Sequence, residues 1–222
     1  MQDFLIWFSR YGSYCLLLSA GMVLFRFQYL TGYLRFVGWF VGLAVAGELV
    51  SHLTAHVLHV PNTYILHGYT ILEFNIIALV YGRFFGHFYS RFFVPWLMAG
   101  FTVLALLNSA FIQPPTGGNA YARGLEAILV IALALLAFYK LLNELSARRL
   151  DKQPIFWINT GFLLYFAGSL FFLLFSNVVL YDSNQTLKFA VFALHVLLIV
   201  MMHVLISIGL WFSPSLRATS TY

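Results

Sequence analysis

The sequence predicts an all-α fold: a polytopic membrane protein built as a bundle of seven transmembrane helices. Of its 222 residues, 62% are hydrophobic and only 9% are charged, whereas a soluble domain carries about 25% charged residues. A transmembrane helix needs roughly 20 apolar residues, and seven stretches are near this length. Their approximate limits are 11–27, 33–58, 63–82, 91–112, 120–143, 154–178 and 187–211. They use nearly the whole chain, so we expect one domain over residues 1–222.

The apolar stretches are helices rather than barrel strands, since only these two structures satisfy the backbone in lipid. Barrel strands alternate apolar and polar residues, and a segment such as AILVIALALLAFY at 127–139 does not. Turn residues separate the helices, with Pro61-Asn62 after the second and PPTGGN at 114–119 after the fourth. Pro154 lies in the predicted first turn of the sixth helix, where its missing N–H costs little.

Lysine and arginine predict the orientation, because they concentrate in cytoplasmic loops. The odd-numbered connections and the C-terminal tail contain Arg26, Arg35, Arg83, Arg91, Lys140, Arg148, Arg149, Lys152 and Arg217. The opposite side contains only Arg10, Arg123 and Lys188. We therefore expect an outside N-terminus and a cytoplasmic C-terminus. The basic residues are scattered, which argues against nucleic acid as a partner. The charged loop 143–153 is either solvated surface or a docking site for a cytoplasmic partner.

Ionisable residues inside the predicted helices are the strongest functional signal, because a charge in hydrocarbon costs about 3 kcal/mol or more and usually marks a working site. The second helix carries GELVSHLTAHVLH at 47–59. At 3.6 residues per turn, Glu48, His52, His56 and His59 point within about 80° of one another. They form one stripe, with the acid near mid-membrane and the histidines towards the outside.

Further polar residues fall in the same outer half of the bundle. The third helix carries His67, Tyr69 and Glu73, and on the fifth helix Arg123 can pair with Glu126 at the i, i+3 spacing. The seventh helix has one histidine in each half. The predicted polar pocket consists of Glu48, His52, His56, His67, Tyr69, Glu73, Glu126 and His195.

One use of such a pocket is a metal site. His52 and His56 at i, i+4 could bind one ion from one helix face, and neutral histidine with carboxylate suits Zn²⁺ with an activated water. Seven spans, an outside N-terminus, His52, Glu73 and His195 resemble the CREST superfamily of seven-helix metal hydrolases, which includes the alkaline ceramidases. That resemblance implies a zinc-dependent intramembrane lipid hydrolase.

The chain departs from the CREST pattern in three places. The family has a serine four residues before its helix-two histidine, where Glu48 precedes His52 here. It has an aspartate where this chain has Glu73. It has H-x-x-x-H on the seventh helix, whereas Ile199 follows His195 at that spacing.

A second use is sensing, or binding of a small-molecule or lipid ligand, without chemistry. Histidines near the outer face titrate close to pH 6.5 when unperturbed, and aromatic walls with a few polar groups suit a small ligand. The segments LHGYTILEFN, ARGLEAIL and PIFWINTGFLLYFAGSLFF resemble short seven-helix bacterial membrane proteins, mainly of Bacteroidota. This resemblance implies a multi-pass protein of the bacterial inner membrane. An accessory sensory or signalling module is our leading interpretation.

A third use is transport of protons, metal ions or a small solute, since histidine and glutamate relays occur in transporters. The chain has no internal repeat and no pair of broken helices, the features that best indicate a transporter. A retinal protein is disfavoured because Lys188 lies at the outer entrance of the seventh helix rather than in its interior.

Overall fold

The computed structural model describes residues 7–8, 11–58, 63–144, 150–181 and 185–213, with the backbone alone at 55–56, 174–181 and 185–186. Seven α-helices lie in these ranges, which confirms the predicted all-α class. In chain order they are α1 Leu16–Phe25, α2 Tyr33–Leu53, α3 Thr63–Phe85, α4 Phe93–Leu107, α5 Ala120–Glu144, α6 Pro154–Tyr181 and α7 Gln185–Trp211.

The helices follow the apolar stretches closely, and two of them end irregularly. The 3₁₀ turn Gly12–Cys15 precedes α1, so the first helical segment is continuous from Gly12. Beyond α2 and α4 the chain continues as the π-helices Thr54–Leu58 and Asn108–Ile112. π-Turns within helices are rare and frequently occur at functional sites.

Length and hydropathy make this chain a multi-pass membrane protein. Six helical segments are long and apolar enough to cross a bilayer: Tyr33–Leu53, Thr63–Phe85, Phe93–Ile112, Ala120–Glu144, Pro154–Leu173 and Leu187–Trp211. The apolar segment Gly12–Phe25 is shorter, with a rise of about 23 Å against the ~30 Å of a hydrocarbon core. The seventh crossing and the orientation of the helices stay predictions.

The chain divides into two compact units, and the expectation of one domain stays a prediction. Unit 1 consists of Met1–Tyr29 and Leu141–Tyr222, and α6 and α7 pack extensively against each other within it. Glycines permit this close approach. A Cβ at Gly161 would lie 3.2 Å from the carbonyl oxygen of Met202, and one at Gly209 would lie 2.8 Å from that of Pro154.

Two polar contacts tie α1 to α7 in unit 1. Arg26 Nη2 donates to the carbonyl oxygens of Trp211 at 2.6 Å and Ser213 at 2.9 Å. These bonds satisfy carbonyls at the helix C-terminus that have no partner within the helix. Deeper in the unit, the Ser19 hydroxyl and His203 Nδ1 are hydrogen-bonded at 2.8 Å, and both residues are buried.

Unit 2, Leu30–Lys140, contains α2 to α4 and α5 as far as Lys140, and it has its core around α3. The rings of Phe74 and Phe101 pack at 4.1 Å, and both side chains are buried. Lys140 Nζ donates to the carbonyl oxygens of Phe84 at 2.7 Å and Phe85 at 2.9 Å. This buried lysine therefore stabilises the C-terminal end of α3 as a cation should.

We expect Gly209→Ala to destabilise unit 1. The new methyl group would lie 2.7 Å from Ile158 Cγ1 and 2.8 Å from the Pro154 carbonyl oxygen. Overpacking of this kind costs about 1–3 kcal/mol, so the thermal unfolding temperature in detergent should fall. Gly21→Ala is the matched control, because its Cβ would meet nothing within 4 Å. If the two variants unfold alike, the close contact between α6 and α7 at this point is incorrect.

Candidate functional site

One face of α3 carries buried polar side chains along its first half. His67, Thr70 and Glu73 follow one another at intervals of three residues, and each is at most 6% exposed. This spacing places all three on one face of the helix. The Thr70 hydroxyl donates to the carbonyl oxygen of Leu66 at 2.9 Å, so the backbone of α3 satisfies it from within the helix.

A matching face on α5 begins just before the helix. Asn119 precedes α5 and accepts the backbone N–H of Arg123 on its carbonyl oxygen at 3.1 Å. Its side-chain Nδ2 donates to Thr70 Oγ1 at 3.0 Å. Asn119 is buried, so this amide links the beginning of α5 to α3.

Arg123 joins the two faces through a shared ion pair. Its Nη1 forms a short salt bridge with Glu73 Oε2 on α3 and a second salt bridge with Glu126 Oε2 at 3.1 Å on its own helix. The second contact confirms the i, i+3 pair predicted from the sequence. Glu126 is completely buried and Glu73 nearly so, whereas the side chain of Arg123 is 20% exposed. We call Glu73, Arg123 and Glu126 the charge centre.

The carboxyl groups of the charge centre outnumber the cations that contact them. If both glutamates are ionised, the three side chains carry a net charge of −1. The desolvation penalty for a buried ion is several kcal/mol, and attraction repays it only when the partner groups are complete. A proton on either carboxyl group would make the three side chains electrically neutral as a group.

The end of α4 contributes a further polar group to the same end of unit 2. His67 Nδ1 and the Ser109 hydroxyl are hydrogen-bonded at 2.7 Å, and Ser109 lies in the π-helix that follows α4. The serine hydroxyl also lies 2.9 Å from the carbonyl oxygen of Ala105 and donates to it. This assigns the donor role to His67 Nδ1–H and leaves Nε2 as an acceptor.

Several buried acceptors around these faces have no hydrogen-bond partner among the described residues. They are His67 Nε2, Asn108 Oδ1, Asn119 Oδ1 and Glu126 Oε1. Buried polar atoms of folded proteins are nearly always paired with protein or with ordered water. All four of these atoms accept hydrogen bonds, so a water or another group that pairs with any of them would act as a donor.

Tyr69 connects the charge centre to a small groove on the surface of unit 2. Its hydroxyl donates to Glu73 Oε1 at 3.4 Å. The same tyrosine lines a groove of about 180 Å³ together with Glu48 and Ser51. Gly47 permits this arrangement, because a Cβ there would lie 2.7 Å from the Tyr69 ring.

The structure brings together only part of the predicted pocket. Glu73 and Glu126 meet through Arg123, and Tyr69 contacts Glu73. His67 lies on the same face of α3, and Glu48 lines the groove that contains Tyr69. These five predicted residues all belong to unit 2.

The remaining predicted residues are His52, His56 and His195. His52 is exposed, and the side chain of His56 lies outside the described part of the chain. His195 belongs to unit 1, where its ring stacks on Phe172 with centroids 4.8 Å apart. No three histidine, cysteine or acidic side chains that the structure describes are placed to hold a metal ion. The predicted zinc pair of His52 and His56 stays a prediction.

Sequence reasoning missed the contact between Glu73 and Arg123. It considered Arg123 only as the local partner of Glu126 and placed Glu73 in the polar pocket without naming a cation for it. One signal was available, because a buried carboxylate requires a cation and few basic residues lie within the predicted helices. Thr70 and Asn119 carried no such signal, since neutral polar residues are common near helix ends.

We expect Arg123→Met to destabilise the protein strongly, because it leaves two carboxyl groups buried without their cation. Breaking a buried ion pair by removing one partner costs about 3–5 kcal/mol, measured here as a fall in thermal unfolding temperature in detergent. Adding Glu73→Gln and Glu126→Gln to this variant should recover much of the loss. Arg35→Met, at an exposed arginine, is the control and should change little. Unfolding of the Arg123 variant at the parent's temperature would contradict the charge centre.

No known family model, curated protein or solved structure matches this chain. Its resemblances to short seven-helix membrane proteins of Bacteroidota and to the CREST superfamily therefore stay expectations. By the length and composition of its described helices, the chain is an apolar multi-helix bundle with six candidate spans and one shorter apolar helix.

Proposed function

We propose that this multi-pass membrane protein is a sensory or ligand-binding module whose charge centre takes up one positive charge. The observation that carries the proposal is the sharing of one guanidinium by two buried carboxyl groups. In the absence of a ligand the charge taken up is a proton. In its presence a small cationic ligand that donates hydrogen bonds would occupy the same place.

The buried acceptor atoms near the charge centre support an occupant that donates hydrogen bonds. Glu126 Oε1 is a buried acceptor with no partner among the described residues, and so are Asn119 Oδ1 and His67 Nε2. A proton on one carboxyl group would convert an acceptor into a donor. A bound water or a small ammonium group would donate to an acceptor of this kind, whereas an anion would add acceptors where donors are needed.

A route for the occupant runs along Tyr69. The groove beside α2 and α3 contains Glu48, Ser51 and Tyr69, and the tyrosine hydroxyl contacts Glu73. Arg123 retains a partly exposed side chain. The positive-inside rule predicts that this end of unit 2 faces away from the cytoplasm, so the module would respond to conditions outside the cell membrane.

Uptake of a charge can change how α3 and α5 are linked. With both carboxyl groups ionised, Arg123 holds one on each helix through its Nη1. When one carboxyl group is neutral, its attraction to the guanidinium weakens. The link between Glu73 and Arg123 joins α3 and α5, so a change in its strength would shift the equilibrium between two arrangements of these helices. A sensor requires such a shift.

Infrared difference spectroscopy of the protein in lipid nanodiscs tests whether a carboxyl group of the charge centre is protonated. We expect a C=O stretch from a buried protonated carboxylic acid at neutral pH, and we expect Glu73→Gln or Glu126→Gln to remove it. Glu144→Gln is the matched control, because Glu144 is exposed at the end of α5. The proposal would be refuted if the parent spectrum lacked this band, or if the band persisted in both Glu73→Gln and Glu126→Gln.

Spin-label distances test the response of the helices. Labels at Leu72 and Ile128, both more than half exposed on α3 and α5, can be placed in a Cys15→Ala background. Between about pH 5 and about pH 8, we expect the distance distribution to change in the parent and to stay fixed in Glu126→Gln. Tyr69 contacts the centre through Glu73 and His67 lies on the same face of α3. His67→Gln is therefore the control for a response that comes from the histidine, and it should retain the change. A distance that does not depend on pH would oppose the sensor.

A further inference from the structure

A cavity at the opposite end of unit 2 is independent of the charge centre and of the proposed function. It has a volume of about 540 Å³ and lies where α3 ends and α4 begins. Its rim contains the basic side chains of Arg83, His87 and Arg91. None of its lining residues is acidic.

The arginines at the rim carry charge that the described residues do not neutralise. Arg83 and Arg91 are both exposed. The salt bridges found in the described part of the chain involve Arg123 alone among the cations. Arg91 lies over the ring of Phe92 at 4.7 Å, which leaves its N–H groups available to an acceptor. The rim is therefore suited to an anion.

The wall below the rim is apolar on both helices. Leu79 precedes Arg83 by one turn of α3, and Val94 and Met98 follow the rim on α4. A turn corresponds to a rise of about 5–6 Å, so the apolar wall lies deeper in the membrane than the charges. This order, with charge near the helix ends and hydrocarbon below, matches a lipid rather than a water-soluble anion.

The loop that carries the rim is held in place by protein contacts. Gly86 has φ +56°, a conformation that glycine adopts without strain, and it turns the chain out of α3. The hydroxyl of Tyr89 donates to the carbonyl oxygen of Leu136 at 3.2 Å. The ring of Tyr89 also packs edge-on against Phe85 at 4.8 Å. The cavity is thus formed in the protein before any ligand enters.

We propose that this cavity binds an anionic phospholipid, with its phosphate between Arg83 and Arg91 and an acyl chain against Leu79, Val94 and Met98. Clusters of basic residues at the membrane surface attract anionic headgroups, and each is worth about 1 kcal/mol. The predicted topology places this end of unit 2 at the cytoplasmic leaflet, where such lipids act.

Native mass spectrometry of the detergent-purified protein tests the site. We expect phosphatidylglycerol to remain bound at concentrations where phosphatidylcholine does not. Arg83→Gln with Arg91→Gln should weaken phosphatidylglycerol binding by roughly 10- to 30-fold. Arg35→Gln is the matched control, because Arg35 is an exposed arginine in the first turn of α2 and does not line the cavity. It should leave binding unchanged.

Three further measurements test the effect of charge, the folding of the variants and the source of the anion. Arg83→Lys with Arg91→Lys retains the charge and should retain most of the binding, whereas thermal unfolding should show that the glutamine variants remain folded. Glycerol phosphate lacks acyl chains and should not displace the lipid at matched concentration. Equal binding of the two phospholipids, equal loss in the Arg35 variant, or displacement by glycerol phosphate would overturn the proposal.

Discussion

The ion pair between Glu73 and Arg123 is the contact on which the arrangement of unit 2 depends. A carboxylate buried in an apolar helix costs free energy unless a cation or a proton neutralises it, and the cation beside Glu73 is on a helix 50 positions further along the chain. The pair therefore fixes which faces of α3 and α5 meet. Asn119 and Thr70 repeat the contact one turn away. Lys140 closes the far end of α3, so α3 and α5 run parallel with polar contacts at both ends.

Basic side chains at helix C-termini serve the same purpose in both units. Lys140 binds the last carbonyl groups of α3, and Arg26 binds those of α7. These carbonyl groups lack partners within their helices, and in apolar surroundings each unpaired one would cost free energy. The sequence alone indicated only that these two residues lie on the cytoplasmic side. Their contacts add a structural reason for a positive charge at those positions, which is independent of membrane orientation.

Helix positions could be predicted because they depend on local properties. Length, apolar composition and turn residues located the helices to within a few residues, and the i, i+3 spacing predicted the pair of Arg123 and Glu126. The partner of Glu73 could not be found in this way, since its choice depends on how α3 and α5 pack. The place of His195 in the predicted pocket stays a prediction, and within unit 1 its ring stacks on Phe172.

The two polar ends of α3 are separated by a mainly apolar stretch. The charge centre is in the first half of this helix, and Arg83 at the basic cavity lies about 15 Å further along it, at 1.5 Å per residue from Glu73. Between them, Phe74 is completely buried. The polar side chains at this level include Asn75 and Thr102, which are hydrogen-bonded to each other at 3.0 Å. The charge centre and the cavity are therefore distinct polar regions of one unit, so a variant of one is not expected to act through the other.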